Sequence, residues 1–494
     1  MTISPATEAA TITETITDVP HPPPPGQAGP GPHTALGSAL GAGLGSWLGR
    51  RRVRVLYGAF ALYAGGVAVF SGPGDDRSWG IWASFGYAAA AALAALWPGR
   101  AGRRAALAAG LAGSLIAPVV WLATQAPPTP DVHVVNASAV LLLHHGTPYL
   151  DPAQLARGNV LSYNPYLPVM TLFGLPHALG LPGLAGDTRP WLVLATLLLL
   201  AAAFLIARPA RSRAGALGLA AFATASPVLA FPLAQGITDP PMIALTVLAL
   251  ALLARPAART WPAAVVLGLA CAMKYTAWPA VIVVAAMLAA RAGAQAGARF
   301  TAATCATAAA LTAALAPAAL AAPGGMIRCT VLFPLGLTAA RSPAQSPLPG
   351  HALATLGHAG HLAAIALLVV AGLGLAVSLA ARPPADASAA ARRIALGLAL
   401  MFTLSPVTRF GYFAYPVGLC AWAGLRRNEP QGNEARDVCA VNAAITAVSA
   451  HTHSGSAPTA RRSTAVGSAG GRSAAQATCW SGLTRIRRRP YAAR

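Results

Sequence analysis

Long apolar runs separated by clusters of arginine limit what this chain can fold into. Only 10% of its 494 residues are charged and 55% are hydrophobic, whereas a soluble protein has ~25% charged residues. Apolar runs of this length are typical of helices that cross a lipid bilayer. The sequence therefore predicts an all-α polytopic membrane protein.

Twelve apolar segments are long enough, or nearly long enough, to cross the membrane. Several are shorter than the ~20 residues of a full span, which a packed bundle tolerates. The seventh and eighth segments can alternatively be read as one long tilted helix. The twelve segments are 56–72, 81–97, 105–126, 191–207, 214–230, 241–254, 261–273, 276–290, 300–322, 357–381, 394–404 and 411–425.

The distribution of charge predicts how the chain is oriented. If alternate connections face the cytoplasm, most arginine clusters fall on that side, as the positive-inside rule requires, and both termini are cytoplasmic. The clusters are Arg50/Arg51/Arg52/Arg54, Arg100/Arg103/Arg104, Arg208/Arg211/Arg213, Arg255/Arg259, Arg291/Arg299, Arg382/Arg392/Arg393 and Arg426/Arg427. Short clusters between apolar runs argue against a nucleic-acid partner, despite a net charge of +22.

The apolar segments also set the domain organisation. Residues 34–427 form the transmembrane domain, with an outer loop at 127–190. Residues 1–33, rich in Thr and Pro, and residues 428–494, basic and rich in Ser, Ala and Gly, are predicted to be disordered tails. The second tail is alternatively a lipid-contacting segment or an out-of-frame extension of the gene. Cysteine spacing indicates no metal site, so no cofactor is expected, and a divalent metal is left open.

The outer loop is much longer than helix connections usually are, and its first part has the signals of a helix. Thr129 is a predicted N-cap and Pro130 the first helical residue, which places Asp131 in the first turn, where negative charge is favoured. Gly146 is the predicted stop. An apolar stripe then favours a helix lying in the membrane interface. A second amphipathic piece, 162–180, is expected to form another interfacial helix and to frame a cavity with the first.

Short motifs in and after this loop occur in the order found in one family of membrane enzymes. The loop carries Asp131, then Gly146-Thr147-Pro148-Tyr149 and Tyr163-Asn164-Pro165; QGITDPP (235–241), LGLACAMKYTAWP (267–279) and LSPVTRFGY (404–412) follow. This order resembles the GT-C-fold glycosyltransferases, and most closely glycosyltransferase family 87, the bacterial mannosyltransferases and relatives that use a polyprenyl-phosphate sugar. The resemblance covers about 105–427. Two additional N-terminal crossings and the Gln-Gly-Ile-Thr-Asp turn depart from the family pattern.

The resemblance implies a GT-C-like bundle and a reaction at the extracytoplasmic face. A mannose-like hexose would move from a polyprenyl-phosphate donor to a cell-envelope glycolipid or glycan, with inversion at the anomeric carbon. Asp131 would be the general base that takes the proton of the acceptor hydroxyl. The plain alternative is that Asp131 only stabilises or solubilises the start of its helix.

Basic residues predicted on the same side are candidates for binding the donor phosphate. Lys274, the only lysine, lies among apolar residues, where an ionisable group is costly and suggests function; alternatively it snorkels to the interface. Arg409 and Arg328 are further candidates. His358 and His361 share one helical face and can hydrogen-bond a phosphate or a sugar.

Candidates for binding the acceptor or the sugar are Asp239, Tyr149, Tyr163 and Asn164. Asp239 either binds a hydroxyl or caps the helix that follows it. Tyr149, Tyr163 and Tyr166 either stack on sugar or anchor the loop at the headgroup level. The competing function is a transporter or lipid flippase, which predicts two matching halves with broken helices; the sequence shows no such internal match.

Overall fold

The computed structural model describes residues 53–97, 99–207, 221–255 and 260–427. These ranges fold into helices and connecting segments and contain no strand. The two predicted tails, 1–33 and 428–494, lie outside the described residues. So do Arg50–Arg52, the cluster at 208–213, Arg259 and the first part of the predicted segment 214–230.

The longer helices of the described ranges are numbered here in chain order. They are α1 (Val53–Phe70), α2 (Asp75–Leu96), α3 (Arg100–Gln125), α4 (Pro130–His145), α5 (Thr188–Ala207), α6 (Pro227–Gln235), α7 (Asp239–Leu253), α8 (Thr260–Cys271), α9 (Trp278–Ala292), α10 (Ala294–Leu315), α11 (His358–Ala381), α12 (Ala387–Leu404) and α13 (Ala414–Arg427).

Eight helices in the described part of the chain are long and apolar enough to cross a membrane: α1, α2, α3, α5, α9 with the turn before it, α10, α11 and α12. Helices α7 and α8 are apolar but shorter. The chain is therefore an all-α multi-pass membrane protein. Each predicted segment that lies wholly within the described ranges overlaps a helix, and the count of twelve crossings remains a prediction.

Helix α7 occupies the centre of the main core. Nearly all of its side chains are buried, and it packs against α5, α8, α12 and α13. A helix that is apolar on every side is expected to be surrounded by others. The start of α7 is therefore fixed inside the bundle, and Asp239, its first residue, is buried with it.

Helices α8 and α9 are separate, which excludes the alternative of one long tilted helix. Gly268 of α8 lies against Thr304 and Thr307 of α10, only ~15–20 Å along α10 from its start. In a single straight helix ending at Ala292, Gly268 would be ~36 Å from that end. Because a one-residue turn at Gly293 joins the same end to α10, Gly268 would then lie ~36 Å along α10 from its start. The chain must therefore reverse between residues 272 and 277.

The additional N-terminal helices form a core of their own. Tyr57, Trp79 and Tyr87 are fully buried among α1, α2 and α3. Helix α3 contains a π-helical turn at Ala112–Ile116, where the indole of Trp79 donates to the carbonyl of Ser114 at 2.8 Å. The hydroxyl of Tyr87 donates to the carbonyl of Ala225 at 2.6 Å, which joins this core to the rest of the bundle.

The first helix of the outer loop has the predicted bounds. Helix α4 begins at Pro130, the Thr129 side chain accepts from the Val132 amide, and Gly146 ends the helix in the left-handed conformation at φ 64°. The second half differs from the predicted amphipathic helix. It consists of 3-10 turns at Val160–Ser162 and Pro168–Gly174 and a four-residue helix, Leu175–Ala178, because prolines interrupt the α-helical hydrogen bonds.

The loop tyrosines pack inside the protein, so the prediction that they anchor the loop at the headgroup level is wrong. Tyr149, Tyr163 and Tyr166 are only 6%, 4% and 4% exposed. Helix α4 packs on the 3-10 segment Pro168–Gly174, where Gly174 approaches the backbone of Val135. The outer loop is therefore a packed unit with its own interior.

Arg189 joins the two ends of this loop. Its side chain is fully buried and donates to the carbonyls of Leu122 at 3.0 Å and Pro127 at 3.2 Å, just before and just after the chain leaves α3. The same guanidinium pairs with Asp187 at 3.0 Å, at the point where the chain enters α5. The loop therefore begins and ends at one place.

Candidate functional site

A cavity of about 190 Å³ lies where the outer loop meets the start of α7, the turn between α8 and α9, and the segment before α13. Its walls include two carboxylates and two cations from these four regions. The polar side chains that line it include Asp131, Tyr166, Asp239, Lys274, Arg409 and Tyr412.

Asp131 reaches the cavity from the first turn of α4. Its carboxylate accepts a hydrogen bond from the hydroxyl of Tyr166, and Nη1 of Arg409 lies 3.6 Å from its second oxygen. The side chain of Asp131 is 22% exposed and that of Arg409 is 34% exposed. This pair is therefore held in place while remaining open to a ligand in the cavity.

Tyr166 fixes the orientation of Asp131. Burial, and after it the charge of Asp131, holds the pKa of Tyr166 well above its usual value, so the phenol stays protonated and donates. Its own backbone is fixed because the amide of Tyr166 donates to the Asn164 side chain at 3.0 Å and its carbonyl accepts from the hydroxyl of Tyr149 at 2.8 Å.

Arg409 lies in an extended segment that pairs with another loop. The amide of Ser346 donates to the Thr408 carbonyl at 3.0 Å, and the amide of Thr408 donates to the Ala344 carbonyl at 3.0 Å. Burial lowers the pKa of Arg409, but Asp131 and neighbouring groups raise it more, so it stays above its usual value. Within the described residues the guanidinium has its ion pair with Asp131 and no hydrogen bond, which leaves its donors free for an anion.

A second ion pair lies deeper in the cavity wall. The ammonium of Lys274 and the hydroxyl of Tyr415 both donate to the carboxylate of Asp239. Lys274 also lies 5.5 Å and 5.4 Å from the ring centres of Tyr166 and Tyr412, a distance at which cation–π attraction operates. Asp239 is thus an ion-pair partner and not a helix cap, and Lys274, 7% exposed, does not snorkel.

The break between α8 and α9 is what directs Lys274 into the cavity. Lys274 has extended backbone angles, which leaves carbonyls before it without helical partners. The outer loop supplies those partners, because the amide of Leu167 donates to the Met273 carbonyl at 2.9 Å and that of Val169 to the Ala272 carbonyl at 3.1 Å. The loop therefore holds Asp131 and the segment of Lys274 in one arrangement.

Other predicted site residues lie elsewhere or have structural contacts. Tyr163 lines the cavity, whereas Tyr149 and Asn164 do not; the Asn164 side chain donates to the Pro148 carbonyl at 3.3 Å. The ring of His361 contacts the Leu335 carbonyl at 2.8 Å. His358 and Arg328 are exposed and lie outside the cavity lining.

Tyr412 and Tyr415 were not among the predicted site residues, and Tyr166 was predicted only as a sugar-stacking residue or a headgroup anchor. Tyr166 and Tyr415 hydrogen-bond the two carboxylates, and Tyr412 lies beside Lys274. Tyr166 and Tyr412 each lie within three residues of a predicted site residue, Tyr163 and Arg409 respectively, which is the local signal that marks them. Tyr415 is bonded to a residue 176 positions away, so no local pattern predicts that contact.

Two further cavities lie beside the polar cavity and share wall residues with it or with each other. A second cavity, of about 260 Å³, shares Lys274, Tyr275 and Tyr412 with the first. A third, of about 400 Å³, shares Tyr275 and Met401 with the second and is lined almost entirely by apolar side chains of α9, α11 and α12. A ligand with a charged head and a long apolar tail fits this succession of cavities.

In the described part of the chain, no three His, Cys, Asp or Glu side chains gather as ligands of a metal ion. Comparison of the chain with family models, with curated proteins and with solved structures finds no match. The interpretation of the cavity therefore depends on its geometry and on the motif resemblance.

Proposed function

We propose that this protein is an inverting membrane glycosyltransferase with a GT-C-like bundle. It moves a mannose-like hexose from a polyprenyl-phosphate donor to a cell-envelope glycolipid or glycan at the extracytoplasmic face. The observation that carries the proposal is the Asp131–Arg409 pair, in a cavity beside two further cavities, one of them almost entirely apolar and between membrane helices.

The charges of the cavity suit a phosphate-bearing donor. Arg409 has donors without hydrogen-bond partners in the described residues, and guanidinium binds phosphate through paired N–H groups. A phosphate at Arg409 neutralises the guanidinium and releases Asp131 from its ion pair. Lys274 adds a second positive charge close by, and the apolar cavities receive the polyprenyl chain.

In the proposed reaction, the acceptor hydroxyl oxygen attacks the anomeric carbon of the donor sugar. The bond from that carbon to the phosphate oxygen breaks, and polyprenyl phosphate leaves with the bonding electrons. The Asp131 carboxylate takes the proton of the acceptor hydroxyl, a contribution of ~10²–10⁴ in rate. Tyr166 keeps the carboxylate oriented, and Arg409 and Lys274 stabilise the charge that develops on the leaving phosphate.

The test is transfer by the purified full chain in vesicles, with polyprenyl-phosphate donors carrying labelled mannose, glucose or arabinose and with envelope glycolipids as acceptors. We expect a labelled glycolipid from at least one donor. Substitution of Asp131→Asn should lower transfer by ~10²–10⁴. The matched control is Asp76→Asn, an exposed first-turn carboxylate of α2, which should transfer normally.

Two outcomes would contradict the proposal. Full transfer by Asp131→Asn would remove Asp131 as the base. Counterflow of a substrate across sealed vesicles, with no new glycosidic bond from any donor, would indicate a transporter or flippase instead.

A further inference from the structure

A second charged site lies at the other end of α11 and α12. Helix α11 begins near the second cavity, where His361 contacts Leu335, and runs ~36 Å to its last residue, which Arg382 follows. There, an open cavity of about 430 Å³ is lined by Arg382, Arg392 and Arg393. The outer-loop cavity and this site therefore lie at opposite membrane faces.

In the described part of the chain, the three arginines have no acidic partner. No carboxylate of the described residues lies within 4.0 Å of their side chains. Asp386, the nearest acid in sequence, uses its carboxylate to cap α12 by accepting from the Ala389 amide at 2.7 Å. Arg393 is held toward α11 by a 2.8 Å hydrogen bond to the Ser378 hydroxyl. Three like charges gathered without a counter-charge favour an anionic ligand.

The site also lies at the edge of the apolar surface. Leu396, which lines the same cavity one turn after Arg392, is 47% exposed, and Val377, in the last turns of α11, is 68% exposed. In a membrane helix such side chains face acyl chains, and arginines beside them lie at the headgroup level. The anion that meets both conditions carries a phosphate and an acyl chain together.

We propose that Arg382, Arg392 and Arg393 form a binding site for the phosphate of an anionic membrane phospholipid. The guanidinium groups bind the phosphate oxygens and Leu396 contacts the first acyl carbons. A basic pocket between membrane helices is a known way to bind anionic lipid headgroups. This proposal is independent of the proposed glycosyltransferase activity, because it concerns the opposite end of the bundle.

The test is lipid binding to the full-length protein in detergent, measured as the shift of its melting temperature during titration. The probes are phosphatidylglycerol, phosphatidylcholine and inorganic phosphate. Because a ligand of the folded state raises the melting temperature, we expect phosphatidylglycerol to raise it at concentrations where the other two probes have no effect. An equal shift with phosphatidylcholine, or a full shift with inorganic phosphate alone, would overturn the proposal.

Substitutions test whether the three arginines form the lipid-binding site. The triple substitution Arg382→Gln, Arg392→Gln and Arg393→Gln should weaken phosphatidylglycerol binding on the order of 100-fold. The matched control is Arg100→Gln, Arg103→Gln and Arg104→Gln, which removes the same charge from three exposed arginines of α3. Equal weakening in both triples would show a general effect of net charge and would contradict a defined site. Selectivity of the unmodified protein among the three probes tests the proposal even if a triple variant fails to fold.

Discussion

At the scale of single residues, the site consists of two carboxylates in different surroundings. Asp131 is partly open, and its cation is at 3.6 Å. Asp239 is buried and receives two donors, Lys274 and Tyr415. The first carboxylate is exposed to the cavity and can take a proton there, whereas the second is buried and receives both donors on one oxygen, which holds the start of α7 against Lys274 and α13. The two acids therefore have different proposed roles, one in proton transfer and one in positioning Lys274.

Removing the hydroxyl of Tyr166 tests the orientation of Asp131. In Tyr166→Phe we expect the transfer rate at saturating donor to fall ~10-fold or more, because a hydrogen bond to a charged group contributes ~1.5–3 kcal/mol, while KM for the donor changes little. Tyr87→Phe is the control, since it also loses a buried tyrosine hydrogen bond. A similar fall in both variants would mean that Tyr166 acts on stability only.

Breaking the buried ion pair tests its structural contribution. Lys274→Met alone or Asp239→Leu alone should lower the free energy of unfolding by ~3–5 kcal/mol, because each leaves a buried group without its partner. The double variant Lys274→Met with Asp239→Leu should lose much less than the two single losses added together. Unfolding in mixed micelles measures all three. Strictly additive losses would contradict a direct interaction.

At the scale of elements, local sequence signals predicted helix α4, which carries Asp131. Contacts between distant segments complete the rest of the site. The cap at Thr129 and the stop at Gly146 depend on neighbours in sequence, so the sequence alone was sufficient for α4. The apolar pattern of segment 162–180 predicted an amphipathic helix. Its prolines and its hydrogen bonds to residues 272–273 determine the 3-10 turns that it forms instead. Those partners lie more than a hundred residues away, and periodicity carries no information about them.

A substitution in the turn between α6 and α7 tests how closely the outer loop packs against this turn. Gly236 has φ 74°, and a Cβ there would lie 2.4 Å from Cγ2 of Val132 and 2.9 Å from Cγ of Arg189. Gly236→Ala should therefore lose ~1–3 kcal/mol from overpacking, in addition to the ~1–2 kcal/mol of a left-handed side chain. The measurement is the free energy of unfolding in mixed micelles, together with transfer activity.

Gly180→Ala is the matched control for this turn. Gly180 has nearly the same angle, φ 75°, with no atom within 4 Å of a Cβ. Its substitution should therefore lower the free energy of unfolding only by the cost of the left-handed conformation. Equal destabilisation by the two substitutions would mean that Val132 and Arg189 move aside without cost.

At the scale of the whole molecule, the cavity and the arginine site occupy opposite ends of the bundle. The chain reverses at 272–277 beside the cavity, and α9 then runs ~22 Å to the turn at Gly293. Composition was sufficient to predict an all-α membrane protein. Which helices surround α7 was not predictable, because α7 is apolar on every side and its sequence prefers no neighbour.

Sidedness can be measured by labelling single cysteines with a membrane-impermeant maleimide in a cysteine-free background. Asp151→Cys, in the outer loop, should react from outside intact cells. Gln295→Cys, at the start of α10, should react only after the membrane is opened. Both positions are exposed. Reaction of both from the same side would contradict the predicted orientation.

The contacts of the Arg189 guanidinium bear on how the outer loop can change in sequence. Because this one side chain joins the end of α3 to the start of α5, the sixty or so residues between them begin and end at a fixed place. The loop also supplies Asp131 to the cavity and hydrogen-bonds the chain before α9, so changes that keep the cavity intact are confined to its exposed positions. In the proposed reaction, acceptor preference would then change through those exposed positions, with Asp131 and its contacts retained.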